Sequence, residues 1–174
     1  MPKNLEIKVE LKSHKETINI LKKNKIQLSE TLIQKDIYYK VEKGILKLRQ
    51  EKGTQTLIYY DRNEKSKNRW SDYHLLEINQ EDANSYFKRF LKILTIVDKK
   101  RELYLFNDTR IHLDYVKHLG YFLELETKVV KGLKDAEKRF NHLLDLLQLR
   151  DKNELRMSYK DLLMAKAKND FIKK

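Results

Sequence analysis

Apolar and ionisable residues alternate with a period of two along much of this chain, and this alternation is what most constrains its fold. Between Leu5 and Leu11, apolar residues alternate with Glu6, Lys8 and Glu10. Successive side chains of a strand point to opposite faces, so the pattern predicts a strand with one apolar face. The same alternation returns at Ile45–Arg49. The dominant period of the chain is therefore that of a β-sheet.

Short turns divide the chain into eight predicted strands. The Lys52-Gly53-Thr54 turn predicts a hairpin, and Asn, Asp or Gly turns between the last three strands predict an antiparallel meander. The predicted strands are Leu5–Leu11, Thr31–Val41, Ile45–Arg49, Leu57–Tyr60, Asp72–Ile78, Thr95–Phe106, Thr109–Val116 and Tyr121–Val130.

Four segments change to a helical period. Helix starts are predicted at the capping patterns Ser13-x-x-Glu16, Asn79-x-x-Asp82 and Ser158-x-x-Asp161, and a further helix is predicted over Leu133–Leu147. The second of these helices would carry Tyr86, Phe87, Phe90, Leu91 and Leu94. Many antiparallel strands with a few helices are typical of the α+β class. No Pro/Gly/Ser linker interrupts the chain, so we expect one domain over residues 1–174.

The polar faces of the predicted strands carry charge on strand after strand, and two arrangements explain this. In the first, the sheet is open and its charges face water. In the second, an eight-stranded barrel closes so that the charged faces surround one interior, which is wide enough for side chains or a small ligand. Enclosed charges are costly unless they pair, bind metal or meet a polyanion. The nearly exclusive use of ionisable residues favours the closed barrel.

The charged positions divide into two chemical groups. Arg and Lys suit phosphate oxygens, and carboxylates in a chain without Cys suit the hard cations Mg²⁺ or Mn²⁺. The acidic pair Glu124 and Glu126 shares one strand face about 7 Å apart. The basic positions are Lys8, Lys47, Arg49, Arg62, Lys99, Arg101 and Arg110, and the acidic positions are Glu6, Asp114, Glu124 and Glu126.

Composition narrows the classes of partner and location. The net charge of +12 favours a polyanionic partner. Cys is absent, which excludes disulfide scaffolds, Cys-ligated zinc, iron–sulfur clusters and Cys nucleophiles. No apolar run approaches the roughly 20 residues that span a bilayer, and the first six residues lack the apolar core of a secretion signal. We expect a cytoplasmic protein without a membrane partner.

Seven short segments occur in a specific order across nearly the whole chain. They are Asn4–Lys8, Gly44–Arg49, Leu57–Tyr60, Lys99–Tyr104, Thr109–Asp114, Gly120–Glu126 and Ser158–Leu163. In this order the chain resembles the CYTH superfamily of triphosphate tunnel metalloenzymes, and within it the class IV adenylate cyclase-like branch. The resemblance implies an eight-stranded antiparallel tunnel, flanked by helices, that binds a triphosphate with Mg²⁺ or Mn²⁺.

The resemblance also implies roles for individual residues. Lys8, Lys47, Arg49, Lys99, Arg101 and Arg110 would bind phosphates, and strand parity adds Arg62. Glu6, Glu124 and Glu126 would hold metal. Asp114 is a further metal ligand or base, His112 an orienting residue, and Lys99 also a catalytic candidate. Two positions depart from the family pattern, because Asn4 stands at the first Glu of Glu-x-Glu-x-Lys and Tyr60 stands at a Lys.

The implied activity is a class IV adenylate cyclase that converts ATP to 3′,5′-cyclic AMP and pyrophosphate. The alternative is a triphosphatase that hydrolyses inorganic triphosphate, thiamine triphosphate or a nucleoside triphosphate. The sequence does not separate the two, because the nucleophile is a substrate hydroxyl or water. A non-enzymatic RNA-binding barrel is a third interpretation of the positive charge and interleaved aromatic residues, although no RNA-binding motif is present. Apolar residues from Phe140 to Leu147 are core packing or a dimer face, which leaves a homodimer open.

Overall fold

The computed structural model describes residues 3–62, 70–79 and 82–172, and eight strands and four helices lie within these ranges. The strands are β1 (Lys3–Leu11), β2 (Leu28–Tyr39), β3 (Ile45–Glu51), β4 (Thr54–Arg62), β5 (Trp70–Ile78), β6 (Ile93–Phe106), β7 (Thr109–Val116) and β8 (Gly120–Lys128). The helices are α1 (Lys15–Lys23), α2 (Ala83–Phe87), α3 (Leu133–Leu146) and α4 (Tyr159–Ile172).

The described strands form an antiparallel ring in the order β1-β5-β4-β3-β2-β6-β7-β8, and β8 returns to β1. Strands β1 and β8 pair from Asn4 with Lys128 to Leu11 with Tyr121. The pairing of β1 with β5 is much shorter and covers Lys3 to Leu5 within the described chain. The barrel therefore closes through a short seam, which confirms the predicted α+β class and the closed or nearly closed eight-stranded barrel with flanking helices.

Tight turns set the register of two strand pairs, β3 with β4 and β6 with β7. Lys52 and Gly53 have φ values of 47° and 79° between β3 and β4. Asn107 and Asp108 have φ values of 46° and 54° between β6 and β7. Two successive residues with positive φ match the right-handed twist of the strands that they join. The hairpin predicted at Lys52–Thr54 is confirmed.

The main hydrophobic core lies outside the ring, because the apolar faces of the strands point outward. Val9 of β1 and Leu125 of β8 pack in one buried cluster with Phe140 and Leu143 of α3. A second outer cluster joins the inner side of α2 to β2 and β3. Burying the apolar faces beneath helices leaves the charged faces to surround the interior.

One part of the inward face is apolar instead of charged. Val97, Val116 and Phe122 each lie two positions from an inward residue of the same strand, namely Lys99, Asp114 and Glu124, so they share the inward face. They pack against Tyr159 at the start of α4. The chain before α4 follows β1, since Leu155 N donates to Lys8 O at 2.8 Å. The C-terminal segment thus contributes to the interior of the barrel.

The N-cap predicted for the first helix is wrong, and the capping box predicted for the last helix is confirmed. Helix α1 is preceded by His14 as its N-cap, without a side-chain capping bond, so Ser13 does not cap it. At α4 the predicted box is present, because Ser158 Oγ accepts from Asp161 N at 3.1 Å and Asp161 Oδ2 accepts from Ser158 N at 3.3 Å.

The second predicted helix is much shorter than the sequence indicated. It begins after Asp82, whose Oδ1 accepts from Ser85 N at 3.0 Å, and not at Asn79. It ends at Phe87, and Ile93 already pairs with Tyr39 of β2. Pairing within the ring overrides the helical spacing of the apolar residues up to Leu94. No helix in the described ranges is long and apolar enough to cross a membrane.

Candidate functional site

A cavity of about 400 Å³, here called the tunnel, lies inside the ring and is lined from all eight strands and the start of α4. This volume lies within the range of about 300–1,000 Å³ that is common for small-ligand sites. Nearly all the ionisable residues predicted from strand parity line it. The ionisable lining residues are Glu6, Lys8, Lys47, Arg49, Glu51, Lys99, Arg101, Arg110, His112, Glu124 and Glu126.

Three tunnel cations, Lys47, Arg49 and Lys99, converge on one carboxylate and are here called the cation cluster. Asp36 of β2 is fully buried, and its Oδ1 accepts from Arg49 Nε at 2.7 Å. Its Oδ2 accepts from Arg49 Nη2 and Lys47 Nζ at 2.9 Å each and from Lys99 Nζ at 3.2 Å. Burial alone would raise the pKa of Asp36, but the cluster holds it well below its usual range. Three cations against one carboxylate leave an excess of positive charge facing the tunnel.

Burial and the crowding of positive charge lower the pKa values of the two lysines of the cluster. Burial, reinforced by the charge of Arg49, lowers the pKa of Lys47 to about 7 in spite of Asp36. Burial likewise lowers the pKa of Lys99, again against the attraction of Asp36. An additional anion in the tunnel would stabilise the charged form of both groups.

A second charged network connects β1, β6, β7 and β8. Arg101 binds Asp114 through two bonds of 2.6 Å and reaches Glu124 Oε2 at 2.6 Å. Lys8 Nζ lies 3.1 Å from Glu124 Oε1. Burial would raise the pKa of Glu124, yet Lys8 and Arg101 hold it well below its usual range. The network therefore keeps its carboxylates ionised.

Tyr159 joins this network to the C-terminal segment. Its hydroxyl donates to Asp114 Oδ2 at 2.9 Å, and the centre of its ring lies 3.9 Å from Lys8 Nζ. Lys8 Nζ also donates to Met157 O at 3.2 Å. Burial raises the pKa of the Tyr159 hydroxyl well above its ordinary value, so it remains a donor. The start of α4 thus holds both a cation and a carboxylate in place.

The third group is suited to a cation. His112, Glu124 and Glu126 each offer a ligand atom, and these atoms lie within 4.8 Å of one another. Burial and the charge of Arg101 lower the pKa of His112 to about 4, so the imidazole is neutral at pH 7. A neutral imidazole beside two carboxylates is a donor set that divalent metals accept. Glu6 lines the same tunnel and faces Glu126 across the β1–β8 register.

Three buried side-chain atoms in the described chain lack a hydrogen-bond partner, and all three belong to tunnel-lining residues. They are Asn4 Oδ1, Gln34 Oε1 and His112 Nδ1. The orientation of Gln34 follows from chemistry, because its Nε2 donates to the carboxylate of Glu51, which can only accept. Buried polar atoms without partners carry a desolvation cost, so the tunnel has unused capacity for ligand contacts.

The ring brings most of the predicted site residues together around the tunnel. Asp114 is the exception among the predicted metal ligands, because it is fully buried behind the tunnel lining, where its oxygens bind Arg101 and one also accepts from Tyr159. The side chain of Arg62 lies outside the described residues. Arg110 is at the edge of the network, with Nη1 3.5 Å from Glu126 Oε2. The roles assigned to these residues stay predictions.

The two departures from the family pattern also line the tunnel. Asn4 is buried at the wall, and Tyr60 is buried with its ring centre 5.8 Å from Lys47 Nζ. Asp36, Gln34 and Tyr159 are site residues that the sequence did not predict. Asp36 and Gln34 share their parity with Tyr38 inside a predicted strand, which is a signal for one face. Tyr159 lies in a predicted helix start and has no strand parity, although it belongs to the Ser158–Leu163 segment of the family resemblance.

Fold and site together define a β-barrel protein whose interior presents buried cations and carboxylates to one cavity. The chain belongs to the CYTH domain family, whose model matches residues 2–159. It therefore has the triphosphate tunnel fold of that family. A Methanocaldococcus jannaschii protein provisionally named adenylate cyclase is 26% identical over 176 residues, which cover 91% of this chain and 97% of that protein.

Solved structures share the fold along nearly their whole length. The PH1012 protein from Pyrococcus horikoshii OT3 has a TM-score of 0.81 and 20% identity, and the match covers 91% of this chain and 98% of that one. A Hippeastrum protein, provisionally called an adenylyl cyclase and described as having a dominant triphosphatase activity, has a TM-score of 0.70 and 13% identity. That match covers 95% of this chain and 96% of the other. At these identities the likeness shows the fold.

Proposed function

We propose that this protein is a metal-dependent enzyme that acts on a triphosphate in the tunnel, as an adenylate cyclase of the class IV type. The observation that carries the proposal is that the cation cluster and the group of His112, Glu124 and Glu126 face the same cavity. Phosphate chains require positive charge, and the divalent ion that accompanies them requires carboxylates. One cavity offers both.

The phosphates are bound by the cation cluster together with Arg101 and Lys8. Lys47, Lys99, Arg101 and Lys8 are each at least nine-tenths buried, so a bound phosphate would meet them in a site with little competing water. Charge-assisted hydrogen bonds are about twice as strong as neutral ones. These cations are held in place by ion pairs with Asp36, Asp114 and Glu124.

A divalent metal fits the donors that the tunnel offers. Glu124, Glu126 and the neutral His112 would hold Mg²⁺ or Mn²⁺, with Glu6 on the neighbouring strand. The position of His112 supports this fit, because its buried Nδ1 lies 3.6 Å from Glu126 Oε1 and makes no hydrogen bond within the described residues, so the ring is not committed to another partner. Such an ion neutralises charge on phosphate oxygens and lowers the pKa of a coordinated hydroxyl. Glu124 would then give up part of its contact with Lys8 and Arg101 in favour of the metal. These two cations would become available to phosphate.

In the cyclase reaction, the ribose 3′-hydroxyl of ATP attacks the α-phosphorus and the bond to the bridging oxygen of pyrophosphate breaks. The hydroxyl proton passes to solvent water, and the departing pyrophosphate carries the electron pair of the broken bond. Buried cations aimed at the leaving group stabilise its charge without rearrangement, which is the largest contribution that a protein makes to such a reaction. The cation cluster supplies this stabilisation. The provisional name of the Methanocaldococcus jannaschii relative supports the cyclase assignment.

The second candidate is a triphosphatase, in which water attacks the terminal phosphorus in the same tunnel. The Hippeastrum protein favours it, since that protein shares the fold and is described by its triphosphatase activity. The RNA-binding interpretation is weakened, because three of the aromatic residues interleaved with basic ones, Tyr38, Tyr39 and Tyr60, have buried rings that cannot stack on bases. The net charge of +12 remains in favour of RNA binding.

A product screen separates the candidates. The protein is incubated with Mn²⁺ and, separately, ATP, GTP, thiamine triphosphate or tripolyphosphate, and the products are resolved by chromatography. Cyclic AMP and pyrophosphate support the cyclase. ADP and phosphate from ATP, or cleavage of tripolyphosphate, support the triphosphatase. No turnover of any of the four, with salt-dependent RNA affinity that survives Glu126→Ala, would overturn both enzymatic assignments.

A further inference from the structure

The buried carboxylate of Asp36 occupies an unusual position, because it lies behind the lining of the tunnel and contacts only cations that belong to the lining. The three residues of the cation cluster line the cavity, whereas Asp36 has no exposed surface. Its two oxygens receive four N–H donors. A carboxylate has about four acceptor positions, so Asp36 is saturated and has no capacity left for a metal or substrate.

The cation cluster, by contrast, keeps most of its donors. Each ammonium group carries three N–H donors and the guanidinium five, and only four in total are used by Asp36. Arg49 uses Nε and Nη2, so its Nη1 group stays available on the other side of the fork. The arrangement therefore fixes the three cations from behind and leaves donors for an anion in front.

Without a carboxylate at this position, the three cations would face one another in a buried site. Burial already lowers the pKa of Lys47 to about 7 while Asp36 opposes the shift. Its removal would shift both lysines of the cluster further toward their neutral forms. Taking away one negative charge would then cost positive charge at pH values up to about 7, where Lys47 is still protonated in the wild type, so the site would lose attraction for phosphate.

We propose that Asp36 is a positioning residue for the substrate: an internal anion that keeps Lys47, Arg49 and Lys99 charged, close together and directed at the phosphates. This inference rests on the proposed binding of a triphosphate in the tunnel. Asp36 acts through the cations and does not itself touch the substrate. An opposite role, in which Asp36 merely competes with phosphate for the cations, predicts tighter binding once it is neutralised.

The test compares tripolyphosphate binding by the wild type and Asp36→Asn between pH 6 and pH 9 at constant ionic strength, by calorimetry. At pH 6, where Lys47 is protonated in the wild type and shifted toward its neutral form in the variant, we expect the variant to bind on the order of ten- to a hundredfold more weakly, as for the loss of one or two charged hydrogen bonds. At pH 9 Lys47 has lost its proton in both proteins, because its pKa is about 7 in the wild type and lower still in the variant, so the difference should shrink or reverse. Asp135→Asn, which removes the carboxylate of an ion pair with Arg139 outside the tunnel, is the matched control and should leave binding unchanged at both pH values.

Asp36→Glu provides the rescue variant, because it keeps the charge and lengthens the side chain by one methylene. It should retain the pH profile of the wild type, with a lower affinity from displaced cations. If Asp36→Asn does not fold, this variant decides alone: weaker binding at an unchanged unfolding temperature supports the role, and unchanged affinity overturns it.

Three results would contradict the inference. A ratio of affinities that is the same at pH 6 and pH 9 would reduce Asp36 to a structural residue, and tighter binding by Asp36→Asn at every pH would make it a competitor. Absence of tripolyphosphate binding by the wild type at all pH values would instead contradict the proposed function, and the role of Asp36 with it. The wild-type measurement thus distinguishes the two failures.

Discussion

Removing the hydroxyl of Tyr159 tests whether the start of α4 organises the tunnel. Tyr159→Phe keeps the ring beside Lys8 but deletes the donor that lies 2.9 Å from Asp114 Oδ2. A hydrogen bond to a charged group contributes about 1.5–3 kcal/mol. For a chain of this length, each kcal/mol corresponds to about 2–4 °C, so we expect the Tm to fall by about 3–12 °C. Differential scanning calorimetry measures this directly.

Tyr159→Leu extends the same prediction to ligand binding. It also deletes the ring 3.9 Å from Lys8 Nζ, a contact worth about 0.5–2 kcal/mol. Tripolyphosphate affinity should therefore fall further in Tyr159→Leu than in Tyr159→Phe. Tyr115→Phe, at a ring that is 47% exposed, is the control and should change neither quantity. An unchanged Tm in Tyr159→Phe would refute the reasoning, since it would mean that the buried hydroxyl contributes nothing.

Three further predictions concern the metal group and the buried titratable residues. Glu124→Ala and Glu126→Ala should each abolish metal-dependent turnover of ATP and tripolyphosphate, whereas Glu102→Ala should not; turnover retained in both tunnel variants would exclude a metal there. The wild-type advantage over Lys47→Met in tripolyphosphate affinity should decline as the pH rises through about 7, because Lys47 loses its proton; a constant ratio would contradict this. In metal-free protein, His112 has a pKa of about 4, against about 6.5 unfolded, so the unfolded state binds the extra proton between these values. Stability should fall as the pH drops from about 6.5 to 4, by up to about 3 kcal/mol, and denaturant titrations of His112→Asn should lack this slope.

The strands were predictable because strand periodicity is a local property of the chain. Each of the eight predicted strands corresponds to an observed one, and the meander from β6 to β8 has the predicted turns. The helix predicted up to Leu94 failed for a non-local reason. Ile93 pairs with Tyr39 in the ring. The spacing of nearby apolar residues gives no information on hydrogen bonds to a strand that is distant in the sequence.

The site residues also divide into those that local sequence pattern predicted and those that depend on non-local contacts. Strand parity alone selected most of the ionisable residues that line the tunnel. It did not distinguish Asp114, which is fully buried behind the lining, from Glu124, which lines the cavity, because both lie on inward faces. It placed Asp36 on one face of a predicted strand but did not single it out, because its importance comes from cations that lie 11, 13 and 63 positions away in the chain.

By itself, the amino-acid sequence determined which side chains share a face, the eight-stranded α+β architecture and the ordered motifs of the CYTH family. Only the tertiary structure decided which charges meet. Closure of the ring and the return of the C-terminal segment place Tyr159 against Lys8 and Asp114. Interactions between charges depend on distance and burial, and both are set by the register of the closed ring, which no local pattern contains.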